Sequence, residues 1–174
     1  MTTATTSLQL TRFRYLMGLY GENHTRLAAL LGDVAGLCGS FQSDVADGQT
    51  LFIDVVAQHA FTTVLRLTHA FEGQGAQPEA NLQLDPCAWV RVYHDAQQAE
   101  VTHCHIGAAV KKLFALDEPV KRVTQHRYRM NSFFNKWLEH LLEAGHNRHT
   151  RKACDPLLGC EAEPFKLHRV LTSA

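Results

Sequence analysis

The spacing of hydrophobic residues changes along this chain, and that change restricts what it can fold into. From Phe41 to Cys104 apolar residues alternate with polar ones, and from about Gln125 they recur every three or four positions. Alternation places one set of side chains on each face of a strand, whereas the longer spacing makes one stripe on a helix. Leu51, Ile53 and Val55 alternate with Phe52, Asp54 and Val56. Phe61, Thr63, Leu65, Leu67 and His69 share one side of the next run, opposite Thr62, Arg66 and Thr68. Asp47-Gly48 is a hairpin signal between the first two strands, and Gln58-His59-Ala60 is expected to make the next turn. Gly73 to Pro86 reads as a longer polar connection. Consecutive strands joined by short turns imply an antiparallel meander, because parallel neighbours need a crossover of a dozen or more residues.

Helical spacing flanks this region. Leu10, Phe13, Met17 and Tyr20 fall on one face, Gly18 and Gly21 weaken the middle, and Asn23 reads as the N-cap of a second short helix. That helix would bury Leu27, Leu30 and Leu31 and stop at Gly32-Asp33. Near the other end, Met130, Phe134, Trp137 and Leu141 form a stripe flanked by Phe133, Leu138 and Leu142, and Gly145 suits the position just past a helix end. The stripe is wide enough to lie across a sheet. Ile106 to Thr124 has mixed spacing. His146 to Ala174 lacks periodicity and contains two prolines, so a single domain over 1–146 with a loosely packed or partly disordered extension over 147–174 is expected.

Composition excludes several classes. The 174 residues include 17 basic and 17 acidic side chains, which cancel. No global field therefore draws the chain to nucleic acid or to an anionic membrane. Nothing approaches the roughly 18 continuous apolar residues of a membrane span, and the first residues lack a secretory pattern. Five cysteines, an odd number at irregular spacing, suit reduced thiols and a cytoplasmic setting. A chain of this length should bury roughly 70% of its unfolded surface, enough for a core without staples.

The sharpest local feature is the stretch Val90-Arg91-Val92-Tyr93-His94-Asp95-Ala96 followed by Ala99-Glu100-Val101. It resembles the hallmark of the YqiB-like family, uncharacterised bacterial proteins with a domain of unknown function. His126 to Gly145, with Asn131, Phe133, Phe134, Trp137, Leu138, Leu141 and Leu142, is similar to that family's C-terminal helix. Glu22-Asn23 followed by Leu27, Leu30 and Leu31 is similar to its N-terminal helix. Where the family pattern has an acidic cluster before the Asn of the last helix, this chain has His126, Arg127 and Arg129. The resemblance implies a cytosolic protein and brings no catalytic residue with it.

The stretch itself reads as a hairpin turning at Ala96-Gln97, with Tyr93 opposite or close to Glu100. Arg91, Tyr93 and Asp95 would share one face, and Val90, Val92 and His94 the other. Two readings follow. Arg91, Tyr93, His94, Asp95 and Glu100 either line a small polar ligand pocket, or they bridge strands and cap the turn. Beyond the hairpin, His103 and His105 point the same way on an extended strand. With His94 or Asp95 as a third ligand they would suit zinc. His146, His149, Cys154 and Cys160 loosely imitate a structural zinc site. Basic residues at Lys111-Lys112, Lys121-Arg122, Arg127-Arg129 and Arg148-Arg151-Lys152, near Phe114 and Tyr128, would suit phosphate or RNA, although neutral overall charge argues against nucleic acid. No Gly-rich phosphate loop, nucleophile elbow or dinucleotide fingerprint occurs.

The sequence thus predicts one α+β domain: N-terminal helices, a four- to five-stranded antiparallel meander and a long C-terminal helix packed on it. The expected function is a small cytoplasmic binding or regulatory module without catalysis, serving a protein partner or small ligand and open to homo-oligomerisation. The alternative is a metal-dependent or acid–base enzyme centred on Tyr93-His94-Asp95 and His103/His105.

Overall fold

Alternating residues form consecutive strands, and the two helical stripes close over them. The computed structural model describes residues 3–157 except 47, 73–81 and 117–122. In chain order its elements are α1 (Thr3–Leu31), β1 (Ser40–Ser43), β2 (Leu51–His59), β3 (Thr62–Glu72), β4 (Leu82–Tyr93), β5 (Gln98–His105), α2 (Ala108–Leu113), α3 (Val123–Glu143) and β6 (Arg151–Cys154). The sheet order is β5-β4-β3-β2-β1-β6, antiparallel at each pairing.

The α+β class and the meander stand as expected, with six strands rather than four or five. The extra strand is β6, which adds to the outer edge of β1 by pairing Ser43 with Arg151 and Ser40 with Cys154. It carries no hydrophobic alternation because its residues are half-buried or exposed. The turn after β2 falls at Ala60-Phe61, leaving Phe61 exposed rather than in the strand. Strand β4 already begins at Leu82, so Pro86 lies within it. Most of the Gly73–Pro86 connection, together with Asp47 of the hairpin signal, lies outside the described residues.

Only one N-terminal helix forms. It runs unbroken through Gly18 and Gly21, although each glycine costs a helix interior roughly 0.5–1 kcal/mol relative to alanine. Asn23 is a buried mid-helix residue, not a cap. Packing overrides the local signal: Leu16, Tyr20, Leu27, Leu30 and Leu31 are all buried, each large aliphatic contributing roughly 1.5–3 kcal/mol. The buried stripe is also rotated from the expected one, since Phe13 is 53% exposed. Gly32 (φ 77°) ends the helix where Gly32-Asp33 was expected to.

On the sheet, Leu51, Ile53, Leu65, Leu67, Val90, Val92, Ala99 and Val101 form one apolar set, packed with the α1 leucines and with Met130, Phe133, Phe134, Trp137, Leu138 and Leu141 of α3. Arg66 lies out of phase with that set. Its Nε and Nη2 both donate to Asp54 Oδ2, at 2.9 and 2.6 Å, and Nη2 also donates to the Leu157 carbonyl at 3.1 Å.

Candidate ligand site at the hairpin

The hairpin between β4 and β5 turns through four residues, His94 to Gln97, rather than through the pair Ala96-Gln97. Asp95 Oδ1 accepts from the Ala96 amide at 2.9 Å, and Gln97 adopts φ 51°, which together close the longer loop. The register follows: Arg91, not Tyr93, lies opposite Glu100, and Tyr93 lies opposite Gln98.

The five hairpin residues then separate into three groups. Arg91, Tyr93 and Glu100 come together. Tyr93 Oη donates to Glu100 Oε1 at 2.8 Å, and Arg91 Nη1 stands 3.9 Å from the same oxygen. Arg127 of α3 reaches within 3.7 Å of Glu100 Oε2. Glu100 is buried, so its charge requires these partners. Tyr20 of α1 completes the group. Burial first, then the Glu100 charge, push its phenol up to about 12, with Arg127 opposing. Tyr93 is raised as well, chiefly by burial, with the Arg91 hydrogen bond opposing. The cluster joins both helices to the hairpin, and Arg127 gives a use to the basic residues that precede Asn131.

His94 belongs elsewhere. Its amide donates to the Phe61 carbonyl at 3.0 Å, and its Nε2 pairs with Thr63 Oγ1 at 2.9 Å. With Gln97 and with His24, Ala28, Asp33 and Val34 from the end of α1, it walls a cleft of about 230 Å³. Burial, and then the neighbouring His94, lower the pKa of His24. Two imidazoles, one from α1 and one from the hairpin, thus share one opening. Asp95 is exposed and spends its carboxylate on the turn.

His103 and His105 are both exposed on one side of β5, and His103 sets its ring edge to Trp89 with centroids 5.5 Å apart. His103 lies five residues beyond Gln98, so the hairpin tip is roughly 17 Å away along the strand, and neither His94 nor Asp95 joins the pair. Between the two histidines, burial drives the Cys104 thiol strongly upward, with Cys87 and Asp85 adding to it. That thiol packs against the core, on the side of β5 opposite the two histidines. In the tail, His146 Nδ1 bonds Ser43 Oγ, whereas Cys154 pairs three residues along β1 at Ser40, roughly 10 Å away. Cys160 lies outside the described residues, as do Lys121 and Arg122. No group of three or more His, Cys, Asp or Glu able to hold a metal ion occurs among the described residues.

Two buried polar networks had no signal in the sequence, because their members are far apart in the chain. In the first, Asn131 Oδ1 accepts from Val101 N (2.8 Å), Asn23 Nδ2 donates to Asn131 Oδ1 (3.3 Å), and Asn135 Nδ2 donates to Asn23 Oδ1 (3.1 Å). In the second, the Trp137 indole N–H donates to His69 Nε2 (3.4 Å), and His69 Nδ1 faces the Thr50 carbonyl (2.9 Å). A carbonyl only accepts and an indole N–H only donates, so His69 is the neutral Nδ1–H tautomer. His146 lies beside it, with ring centroids 6.4 Å apart, and its partner Ser43 Oγ also pairs with Thr150 Oγ1 at 2.6 Å. The Ser43–His146 pair has the atoms of a nucleophile and base, but both residues are 2% exposed, so no substrate reaches them.

Among the described residues no helix is long and apolar enough to cross a membrane. No curated protein and no solved structure matches the chain. Residues 26–147, more than two-thirds of its length, match a family described as "Protein of unknown function (DUF1249)". They span the last six residues of α1, the sheet as far as β5, and α3, whereas Tyr20 and His24 lie just before the match. The chain belongs to the DUF1249 family.

Proposed function

We propose that this chain is a YqiB-like, cytoplasmic bacterial binding module without catalytic activity, and that its ligand is a small amine-bearing metabolite held in the His24–His94 cleft. The observation that carries the reading is the convergence of His24 and His94, from α1 and the hairpin, on one opening. The cleft's one formal charge is Asp33, which would take an ammonium. His24, its pKa lowered, stays neutral near pH 7 and offers ring nitrogens for hydrogen bonds. At about 230 Å³ the space suits a ligand the size of an amino acid, since drug-sized sites run roughly 300–1,000 Å³. Arg91, Tyr93 and Glu100 would serve the site from behind by fixing the hairpin to both helices, and Asp95 by shaping its turn.

Thermal-shift measurement with putrescine and L-lysine, against acetate and phosphate, tests this. The amines are expected to raise the melting temperature, and His94→Ala to abolish that rise while Tyr93→Phe preserves it. If both substitutions lower stability and leave every ligand response unchanged, the hairpin is structural and the proposal fails. A second reading places a metal ion on His103 and His105, favoured by their shared, exposed side of β5. Elemental analysis of purified protein without stoichiometric zinc would remove it.

A further inference from the structure

Arg66 of β3 and Trp89 of β4 are cross-strand neighbours on the face of the sheet turned away from α1 and α3. Leu65, Leu67, Ala88 and Val90, beside them in the chain, point into the core, so these two point out. Such a face of an antiparallel sheet is commonly open to water. Here Trp89 is 3% exposed, and Val64, Thr68 and Cys87 on the same face are buried with it. Val64, Cys87 and Trp89 all stand outside the core that the helices close. The Asp54–Arg66 ion pair lies among them, also buried. Neighbours on one face flank an indole and leave its outer side open, so a further segment of chain covers Trp89.

The C-terminal end of the described chain arrives at this face. Leu157, the last described residue, gives its carbonyl to Arg66 Nη2 at 3.1 Å, one strand spacing of roughly 5 Å from Trp89. The other undescribed segments start too far away. Residues 73–81 join Glu72 to Leu82, about 20 Å along the strands from Arg66 and Trp89, whereas nine residues running out and back reach about 15 Å. Residues 117–122 follow Leu116, which packs on the helical side, and residue 47 is a single position in the β1–β2 turn. We propose that the C-terminal segment 158–171 of this same chain lies across the outer face and covers Trp89, Val64 and Cys87. Its apolar side chains gather near the end, at Phe165, Leu167, Val170 and Leu171. On an extended segment Phe165 and Leu167 fall on one side, toward the indole, and Lys166 and His168 on the other, toward water. The inference is independent of the cleft ligand.

Hydroxyl-radical footprinting of the full chain, read residue by residue by mass spectrometry, tests it. In the wild type Trp89 and Phe165 are expected to react slowly, as the core residue Trp137 does, and the exposed Phe61 quickly. Phe165→Asp combined with Leu167→Asp should speed oxidation of Trp89 several-fold and leave Trp137 protected, which also reports that the domain stays folded. Phe165→Ala is the milder arm, used if the double substitution exposes Trp137 too. A wild-type Phe165 that reacts as fast as Phe61 overturns the proposal. So does a Trp89 indifferent to the substitutions while Trp137 stays protected. Protection of Phe165 that disappears on dilution would seat the segment on a second copy, and overturns it as well.

Discussion

The side-chain amide of Asn131 pairs with both main-chain groups of Val101: Oδ1 accepts from the Val101 N–H at 2.8 Å, and Nδ2 donates to the Val101 carbonyl at 3.4 Å. Strand β5 ends the sheet, so its outward N–H and C=O groups would otherwise be unpaired. One asparagine does there what a residue of a further strand would do, and Asn23 Nδ2, 3.5 Å from the Ala99 carbonyl, extends the cover from α1. Both helices are thereby fastened to the strand that carries Glu100.

Asn131→Ala is expected to cost about 2–4 kcal/mol, because it strands a buried donor and acceptor pair on Val101 and unsettles Asn23. Urea denaturation measures the loss, and amide exchange at Val101 should accelerate with it. A change within about 0.5 kcal/mol, the range of ordinary surface substitutions, would mean that the amide does not hold the edge.

Glu100→Gln keeps the shape and the Tyr93 contact but removes the charge facing Arg91 and Arg127. A loss of about 1.5–3 kcal/mol is expected, the range for hydrogen bonds to charged groups. Ultraviolet titration gives a second readout. The Glu100 charge is the second cause, after burial, of the Tyr20 pKa near 12, so Tyr20 should ionise at lower pH in the variant. An unchanged tyrosine titration would place Glu100 too far from Tyr20 to matter.

Stability should fall as pH drops below about 6.5, the ordinary histidine pKa that the unfolded chain retains. Burial lowers the pKa of His69, with His140 adding and the Thr50 carbonyl opposing. Burial and then His69 lower that of His146, with His140 adding and Asp44 and the Gln49 backbone opposing. A base whose folded pKa is depressed takes up protons first in the unfolded state, so stability is fully present above the unfolded pKa. It is lost as pH falls toward the folded values and levels off beneath them. Urea midpoints between pH 5 and 8 should show this slope. It should flatten in His69→Asn, whose amide can still reach Thr50, and persist in His105→Asn on the exposed side of β5.

Gly145→Ala tests the end of α3. The residue has φ 99°, and an added Cβ would sit 3.8 Å from Val45 Cγ1, so space is adequate and backbone strain alone should act. A loss of about 1–2 kcal/mol by urea denaturation is expected. A neutral substitution would show that the turn relaxes.

Legibility in the sequence tracked how local each cause was. The alternation of Leu51, Ile53 and Val55 and the stripe from Met130 to Leu141 were readable because one face of each meets the core. Gly32 and Gly145 were readable as helix ends because positive φ is a local demand. The continuity of α1 was not, since Gly18, Gly21 and Asn23 speak for a break that burial of Leu16, Tyr20 and Leu27 overrides. Strand β6 gave no signal because an edge strand with half-exposed faces needs no pattern. At the hairpin, residue identities were legible and partners were not. A two-residue difference in the loop moved Arg91 opposite Glu100, and His24, Tyr20 and Arg127, which reach His94 and Glu100, come from α1 and α3. Nothing near His94 in the chain points to His24.

The cleft is tested most directly by following the imidazole rings themselves, with nitrogen-15 NMR of histidine side chains during titration with putrescine or L-lysine. The account predicts that His24 and His94 shift together and saturate, while the buried His69 and His146 stay fixed and the exposed His103 and His105 respond no more than they do to acetate. Rings at His24 and His94 that remain still, or that move only in step with the exposed histidines, would contradict it.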